Sequence, residues 1–165
     1  MATVTLKGNP FHTNGDLPVV GSKAPMFTLV KPDLSDLTDK SLEGKRIVLN
    51  IFPSVDTPTC AQSVRTFNAQ ASSLNNTVVV CVSKDLPFAL SRFCGAEGLN
   101  NVIPTSAFRS HFAVDYGLKL IDGPLEGLTA RAVIVLDTHG KVLHTELVSE
   151  IANEPNYEAA LKVLA

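Results

Sequence analysis

An α/β fold is expected, built on a central mixed β-sheet flanked by helices and carrying an N-terminal β-hairpin. Three observations predict it. Apolar runs of strand length recur at residues 46–52, 76–82 and 130–136. Between the first two lies a segment, residues 59–73, whose Val64, Phe67 and Ala71, with Leu74 just after it, recur at helical spacing. Strand, helix and strand at this length imply a right-handed parallel crossover. The third run leads through Asp137-Thr-His-Gly140 into residues 141–147, the pattern of an antiparallel hairpin. A length of 165 residues fits one domain, 1–165, long enough to bury a full core.

Taken in order, residues 3–7 and a stretch near 11–13 form a small hairpin about Gly8-Asn9-Pro10, read as a cover for a sheet edge. Residues 16–25 are a loop punctuated by Pro18, Gly21 and Pro25, and 27–30 a short strand before a polar turn region and residues 41–44. The run at 76–82 is continuously apolar and is expected to be buried on both faces. Residues 86–94 read as a helix ended by Gly95, and 101–108 as a strand broken near Pro104, followed by a helical stretch at 109–116. Gly123-Pro124 and Gly127 mark 117–127 as a loop, and 156–164 close the chain as a helix with Tyr157, Leu161 and Leu164 on one side. The order β-α-β, α, β-hairpin, α is that of a thioredoxin-like layer fold.

Composition narrows the function. The apolar fraction of 45% with 18% charged residues is that of a soluble globular protein. A net charge of −2 without a basic stripe leaves no footprint for nucleic acid. The first residues lack a basic region followed by an apolar core, and the longest apolar runs are strand length, so neither export nor membrane insertion is expected and the location reads as cytoplasmic. Three cysteines, Cys60, Cys81 and Cys94, argue against a disulfide framework. No Cys-x-x-Cys or His-x-x-x-His spacing occurs, and His12, His111, His139 and His144 are scattered, so no metal site is expected. One reactive pair plus one buried cysteine, Cys81 within Val-Val-Val-Cys-Val, is the simplest accounting.

The chemistry concentrates in Pro53-Ser-Val-Asp-Thr-Pro-Thr-Cys60, between the first strand and the first helix. Thr57 suits an N-cap, and Pro58 suits the first helical position, where its missing N–H costs nothing. Cys60 then falls in the first turn, where the positive end of the helix dipole and unpaired N–H groups favour a thiolate. A cysteine at a helix start is more often a small core residue, so the neighbours decide. In a thioredoxin-like fold this is the place of a redox centre, but Ser63 stands where a Cys-x-x-Cys pair would have its second thiol. Thr57 and Thr59 offer hydroxyls, and Pro53 can shield the sulfur from water.

Pro53-x-x-x-Thr57-x-x-Cys60 resembles the peroxiredoxin active-site pattern, Pro-x-x-x-Thr/Ser-x-x-Cys, and its surroundings resemble the bacterial thiol peroxidase branch. So do Asp85-Leu-Pro-Phe-Ala89, Arg92-Phe-Cys-Gly-Ala-Glu-Gly98, Asp122-Gly-Pro124, Gly127-Leu128 and Ala130-Arg-Ala132. The likeness spans nearly the whole chain. Lys84 and Leu90 depart from it, standing where many relatives carry Ala and Gln.

The resemblance implies a thiol-dependent peroxidase of the atypical two-cysteine kind, acting in antioxidant defence. Cys60 would be peroxidatic, attacking the hydroperoxide and becoming a sulfenic acid. Cys94 would be the resolving cysteine, forming an intrachain disulfide with Cys60. Thr57 and Arg131 would activate the sulfur and the peroxide, and Pro53 would pack and exclude water. Hydrogen peroxide and organic hydroperoxides are the implied substrates, with Phe88, Phe93 and Leu128 as apolar neighbours favouring alkyl or lipid species. Thioredoxin is the implied reductant and a homodimer the implied assembly, with no metal, haem or flavin cofactor. A disulfide requires Cα atoms within about 7 Å, so the helix ends carrying Cys60 and Cys94 are expected to unwind. Two rivals remain at this point: a redox sensor, which would consume about one peroxide per chain, and a dithiol–disulfide exchanger, which the missing Cys-x-x-Cys disfavours.

Overall fold

The apolar runs become the middle of a seven-stranded sheet. The strands are β1 (Thr3–Leu6), β2 (Asn9–His12), β3 (Thr28–Val30), β4 (Asp36–Thr38), β5 (Arg46–Ile51), β6 (Thr77–Ser83), β7 (Ile103–Ser106), β8 (Ala132–Leu136) and β9 (Val142–Leu147). The helices are α1 (Pro58–Ala71), α2 (Pro87–Glu97), α3 (Phe112–Asp115) and α4 (Tyr157–Lys162). This is a computed structural model, and it describes residues 1–71 and 73–165. The sheet order is β4-β3-β7-β6-β5-β8-β9, with β1 and β2 forming a separate hairpin. Neighbours β5–β6 and β6–β7 are parallel, whereas β5–β8 and β8–β9 are antiparallel. The sheet is therefore mixed, as expected.

Strand alternation divides the core into two layers. On β5, Ile47, Leu49 and Ile51 face a cluster closed by the hairpin residues Val4 and Phe11 and by Phe112 and Tyr116. Val48 and Phe52 face the other way, with Val79, Cys81, Val133 and Val135, against Cys60, Val64 and Phe67 of α1, Leu90 of α2 and Ala160 of α4. The helix face expected from Val64 and Phe67 is the one that packs. The closing helix starts at Asn156, whose side chain accepts a hydrogen bond from the Ala159 N–H (3.0 Å), and Tyr157 meets Phe67 edge-on.

Four details differ from expectation. The hairpin turns at Lys7-Gly8, whose φ values of 52° and 83° give the two positive angles of a type I′ turn, and Pro10 lies within β2. β4 has one buried residue, Leu37, in three, too short a pattern to stand out in sequence. β7 runs unbroken through Pro104, because β3 reaches β7 only at Val30–Ser106 and leaves Pro104 an open flank. Finally, α2 continues through Gly95 to Glu97. Gly98, at φ 66°, supplies the left-handed stop and donates its N–H to the Cys94 carbonyl.

Candidate active site

The chain leaves the sheet at Phe52, whose N–H bonds the Val82 carbonyl (3.0 Å) and whose carbonyl accepts the Thr129 hydroxyl (2.7 Å). Pro53 and Val55 are buried, and α1 begins at Pro58, so Cys60 occupies the first turn. The Thr57 carbonyl accepts from the Ala61 N–H (3.0 Å), which confirms Thr57 as the N-cap position. The first N–H groups of any helix lack intrahelical acceptors, so the backbone around Cys60 is electropositive. Cys60 itself is fully buried. Ser63, in the position of the missing second thiol, donates to the Cys60 carbonyl (2.8 Å) and accepts from Asn50 Nδ2 (3.2 Å) on β5.

Arg131, immediately before β8, is only 2% exposed. Its Nη2 donates to Cys60 Sγ at 3.1 Å and its Nε to the Ile151 carbonyl at 2.8 Å. Nη1 has no hydrogen-bond partner among the described residues, and none of the carboxylates described there forms an ion pair with this guanidinium. A buried cation without an anion is costly. The Cys60 sulfur is the side-chain acceptor that Nη2 reaches, and Nη1 is left to donate to a second acceptor.

The segment that holds Arg131 gives the N-terminal hairpin a role beyond the edge cover expected from its sequence. Thr5 exchanges backbone hydrogen bonds with Ser149 (2.7 Å) and Ile151 (2.8 Å), and Glu150 accepts from the Thr5 hydroxyl (3.1 Å) and the Gly8 N–H (3.0 Å). Ala152, next in line, accepts the Thr59 hydroxyl of α1 (2.9 Å). The hairpin thus buttresses the loop that fixes the guanidinium and touches the first turn of α1.

Thr57 stands three residues before Cys60 and is exposed, and its hydroxyl donates to the Ser54 carbonyl (3.1 Å). Its proton is therefore committed, and its lone pairs remain free to accept. Cys94 lies in the last turn of α2, half-buried, and all three cysteines are free thiols. Burial pushes the Cys94 thiol above its usual pKa.

The redoxin family model matches residues 19–161. The chain belongs to the redoxin family. Thiol peroxidase of Mycobacterium tuberculosis is 58% identical over 164 residues, 99% of each chain, and that of Corynebacterium glutamicum 56% with the same coverage. A peroxiredoxin-like protein from Aquifex aeolicus superposes with a TM-score of 0.93 at 39% identity, covering 99% of this chain and 96% of that one. Within the redoxins this chain therefore stands with the thiol peroxidases, on the thioredoxin-like peroxiredoxin fold.

Cys81 is buried as expected, and burial pushes its thiol up to about 12. Among the described residues no group of three or more His, Cys, Asp or Glu is placed to hold a metal ion, and no helix is long and apolar enough to cross a membrane. Of the expected apolar neighbours, Phe93 packs against the cluster containing Cys60, but Leu128 packs on the opposite cluster and Phe88 is 66% exposed. Leu90 is buried, and Lys84 donates to the Ala107 carbonyl (3.0 Å), so both departures from the family pattern are packing residues. In sequence Asp85 is one residue of the Asp85-Leu-Pro-Phe-Ala89 motif, with no role of its own. In the structure its carboxylate accepts from the Ser54 hydroxyl (2.7 Å) and the Val55 N–H (2.9 Å), gripping the loop before Cys60.

Two ion pairs strap α2 to the Cys60 side. Arg65 of α1 meets Glu97 at 2.7 Å and lies over the Phe93 ring at 5.8 Å, and Arg92 meets Asp56 at 3.7 Å. Exposed pairs are worth about 0–1 kcal/mol each. Both must part if α2 and the first turn of α1 unwind. Arg65→Ala with Arg92→Ala is expected to accelerate formation of a Cys60–Cys94 disulfide about two- to tenfold after peroxide addition. Rapid quenching and mass spectrometry read the rate; an unchanged or slower rate excludes the straps as a brake.

Proposed function

We propose that this chain reduces hydrogen peroxide and organic hydroperoxides by a two-cysteine cycle, with Cys60 peroxidatic, Cys94 resolving, and Arg131, Thr57 and Pro53 completing the site. The observation that carries the reading is the buried Arg131 guanidinium, 3.1 Å from the Cys60 sulfur with Nη1 left to donate. The Cys60 thiolate attacks one peroxide oxygen and the O–O bond breaks. The S–O bond that forms leaves Cys60 as a sulfenic acid, and the departing alkoxide or hydroxide takes a proton from solvent to become alcohol or water. Arg131 stabilises the negative charge that moves from sulfur to the leaving oxygen. Thr57, its proton held by Ser54, accepts the hydroperoxide O–H and orients it. Pro53 closes the site to water.

Cys94 then attacks the sulfenic sulfur, releasing water and forming a disulfide that a dithiol donor of the thioredoxin kind reduces by exchange. Cys60 is sealed from solvent and Cys94 sits within a helix closed by Gly98, which supports opening of both turns before resolution. The reading extends to a single domain, a cytoplasmic location and a homodimer. Exposed Leu86, Phe88 and Phe108 supply apolar surface for the dimer.

The test is hydroperoxide consumption with thioredoxin, thioredoxin reductase and NADPH. Many turnovers per chain are expected. Consumption of about one equivalent followed by arrest would instead establish a sensor.

A further inference from the structure

Asp85 stands between the end of β6 and the start of α2, half-buried and outside the described ion pairs. Three hydrogen bonds nonetheless converge on its carboxylate. Oδ1 accepts from Ser54 Oγ at 2.7 Å, and Oδ2 accepts from the Val55 N–H at 2.9 Å and from Ser83 Oγ at 2.6 Å. Two of the three donors belong to the loop that delivers Cys60. Ser54 in turn organises that loop: its Oγ accepts the Asp56 N–H (3.1 Å), and its carbonyl accepts both the Thr57 N–H (3.2 Å) and the Thr57 hydroxyl (3.1 Å).

We infer that Asp85 is a positioning residue of the peroxidase site, its carboxylate fixing Ser54 and Val55 so that Thr57 presents hydroperoxide-accepting lone pairs beside the Cys60–Arg131 pair. The inference rests on the proposed roles of Cys60 and Thr57 and adds the group that aligns them. The turn itself does not need the carboxylate. Ser106 Oγ donates to the Asp85 main-chain carbonyl, the Asp85 N–H donates to Ser83 Oγ (3.3 Å), and the Ala107 N–H donates to the Ser83 carbonyl (2.8 Å). These bonds survive loss of the side-chain charge. What that loss releases is the loop. Asparagine keeps the size of Asp85 but replaces one acceptor oxygen with a donor, so it can satisfy Ser54 or the Val55–Ser83 pair and not both. Released from Oδ1, the Ser54 hydroxyl keeps only the Asp56 N–H (3.1 Å), and Ser54, whose carbonyl holds the Thr57 proton, loses its tie to Asp85.

The experiment uses reduced full-length protein, mixed with hydrogen peroxide or cumene hydroperoxide in single turnover, quenched and weighed by mass spectrometry. Asp85→Asn and Ser54→Ala are each expected to slow oxidation of Cys60 about tenfold, the effect of one charge-assisted hydrogen bond. Alkylation of Cys60 by iodoacetamide, which needs the thiolate but no alignment of a peroxide, is expected to stay level or rise as the loop loosens. The double variant is expected to be no slower than Asp85→Asn alone, since both substitutions cut one path. A purely structural Asp85 would lower the melting temperature and leave the oxidation rate of folded protein within twofold of wild type, overturning the inference. Multiplying losses in the double variant would also overturn it. Should Asp85→Asn fail to fold, Ser54→Ala decides by the same criterion. If wild-type Cys60 itself is not oxidised, the peroxidase reading fails; if wild type reacts and the variants match it, only this inference does.

Discussion

Cys60→Ser is expected to keep its fold and to lose hydroperoxide turnover altogether, a fall of more than about a thousandfold, because an alcohol is a poor nucleophile without a base and none stands beside it. The substitution is mild for the core: a hydroxyl of similar size can accept from Arg131 Nη2 as the sulfur does. Cys94→Ser separates the two half-reactions. Oxidation of Cys60 should proceed within about twofold of wild type, but each chain should then stop after one equivalent with Cys60 held as a sulfenic acid. Disulfide formation in wild type should also accelerate as pH rises. The folded helix holds the Cys94 thiol above its usual pKa, so it favours the protonated form. From about pH 8.5 upward an opened segment releases a proton that the folded one keeps, so opening becomes easier. The attacking thiolate becomes commoner in the same window. A disulfide rate that is flat or falls from pH 7 to 9 would contradict the need to open α2.

The positions that the sequence located best are those where local chemistry and burial agree. Thr57-Pro58 announced the start of α1, and the runs through Val80 and Ile134 announced buried central strands, because caps and continuous apolar stretches act within a few residues. The pairing of Cys60 with Arg131 was carried by family likeness alone. The two residues are 71 positions apart, and no periodicity links an arginine before β8 to a cysteine on α1. The hairpin and Asp85 lay further out of reach. Their roles depend on which loops the sheet order brings together, and an aspartate before a helix reads in sequence only as a turn residue. Gly95 misled for a related reason: glycine marks a stop, but Gly98 offers the left-handed cap with a carbonyl to close on.

Arg131→Met is expected to slow oxidation of Cys60 about a hundredfold or more while leaving the fold intact. Methionine fills the space of the arginine stem, and the desolvation cost relieved by removing a buried, incompletely partnered guanidinium offsets the loss of the Nε bond to the Ile151 carbonyl, so the melting temperature should change little. A structural arginine would show the reverse, a lower melting temperature with normal chemistry. Arg131→Lys refines the argument. One ammonium cannot hold the Ile151 carbonyl, as Nε does at 2.8 Å, and also place two separate donors at the sulfur and the peroxide. If bulk positive charge were sufficient, lysine would restore most of the rate. If the fork geometry matters, as the unpartnered Nη1 implies, lysine should recover less than about a tenth of it. Single-turnover oxidation of the two variants, set against their melting temperatures, separates charge from geometry, and an Arg131→Met rate within threefold of wild type would remove the guanidinium from the mechanism.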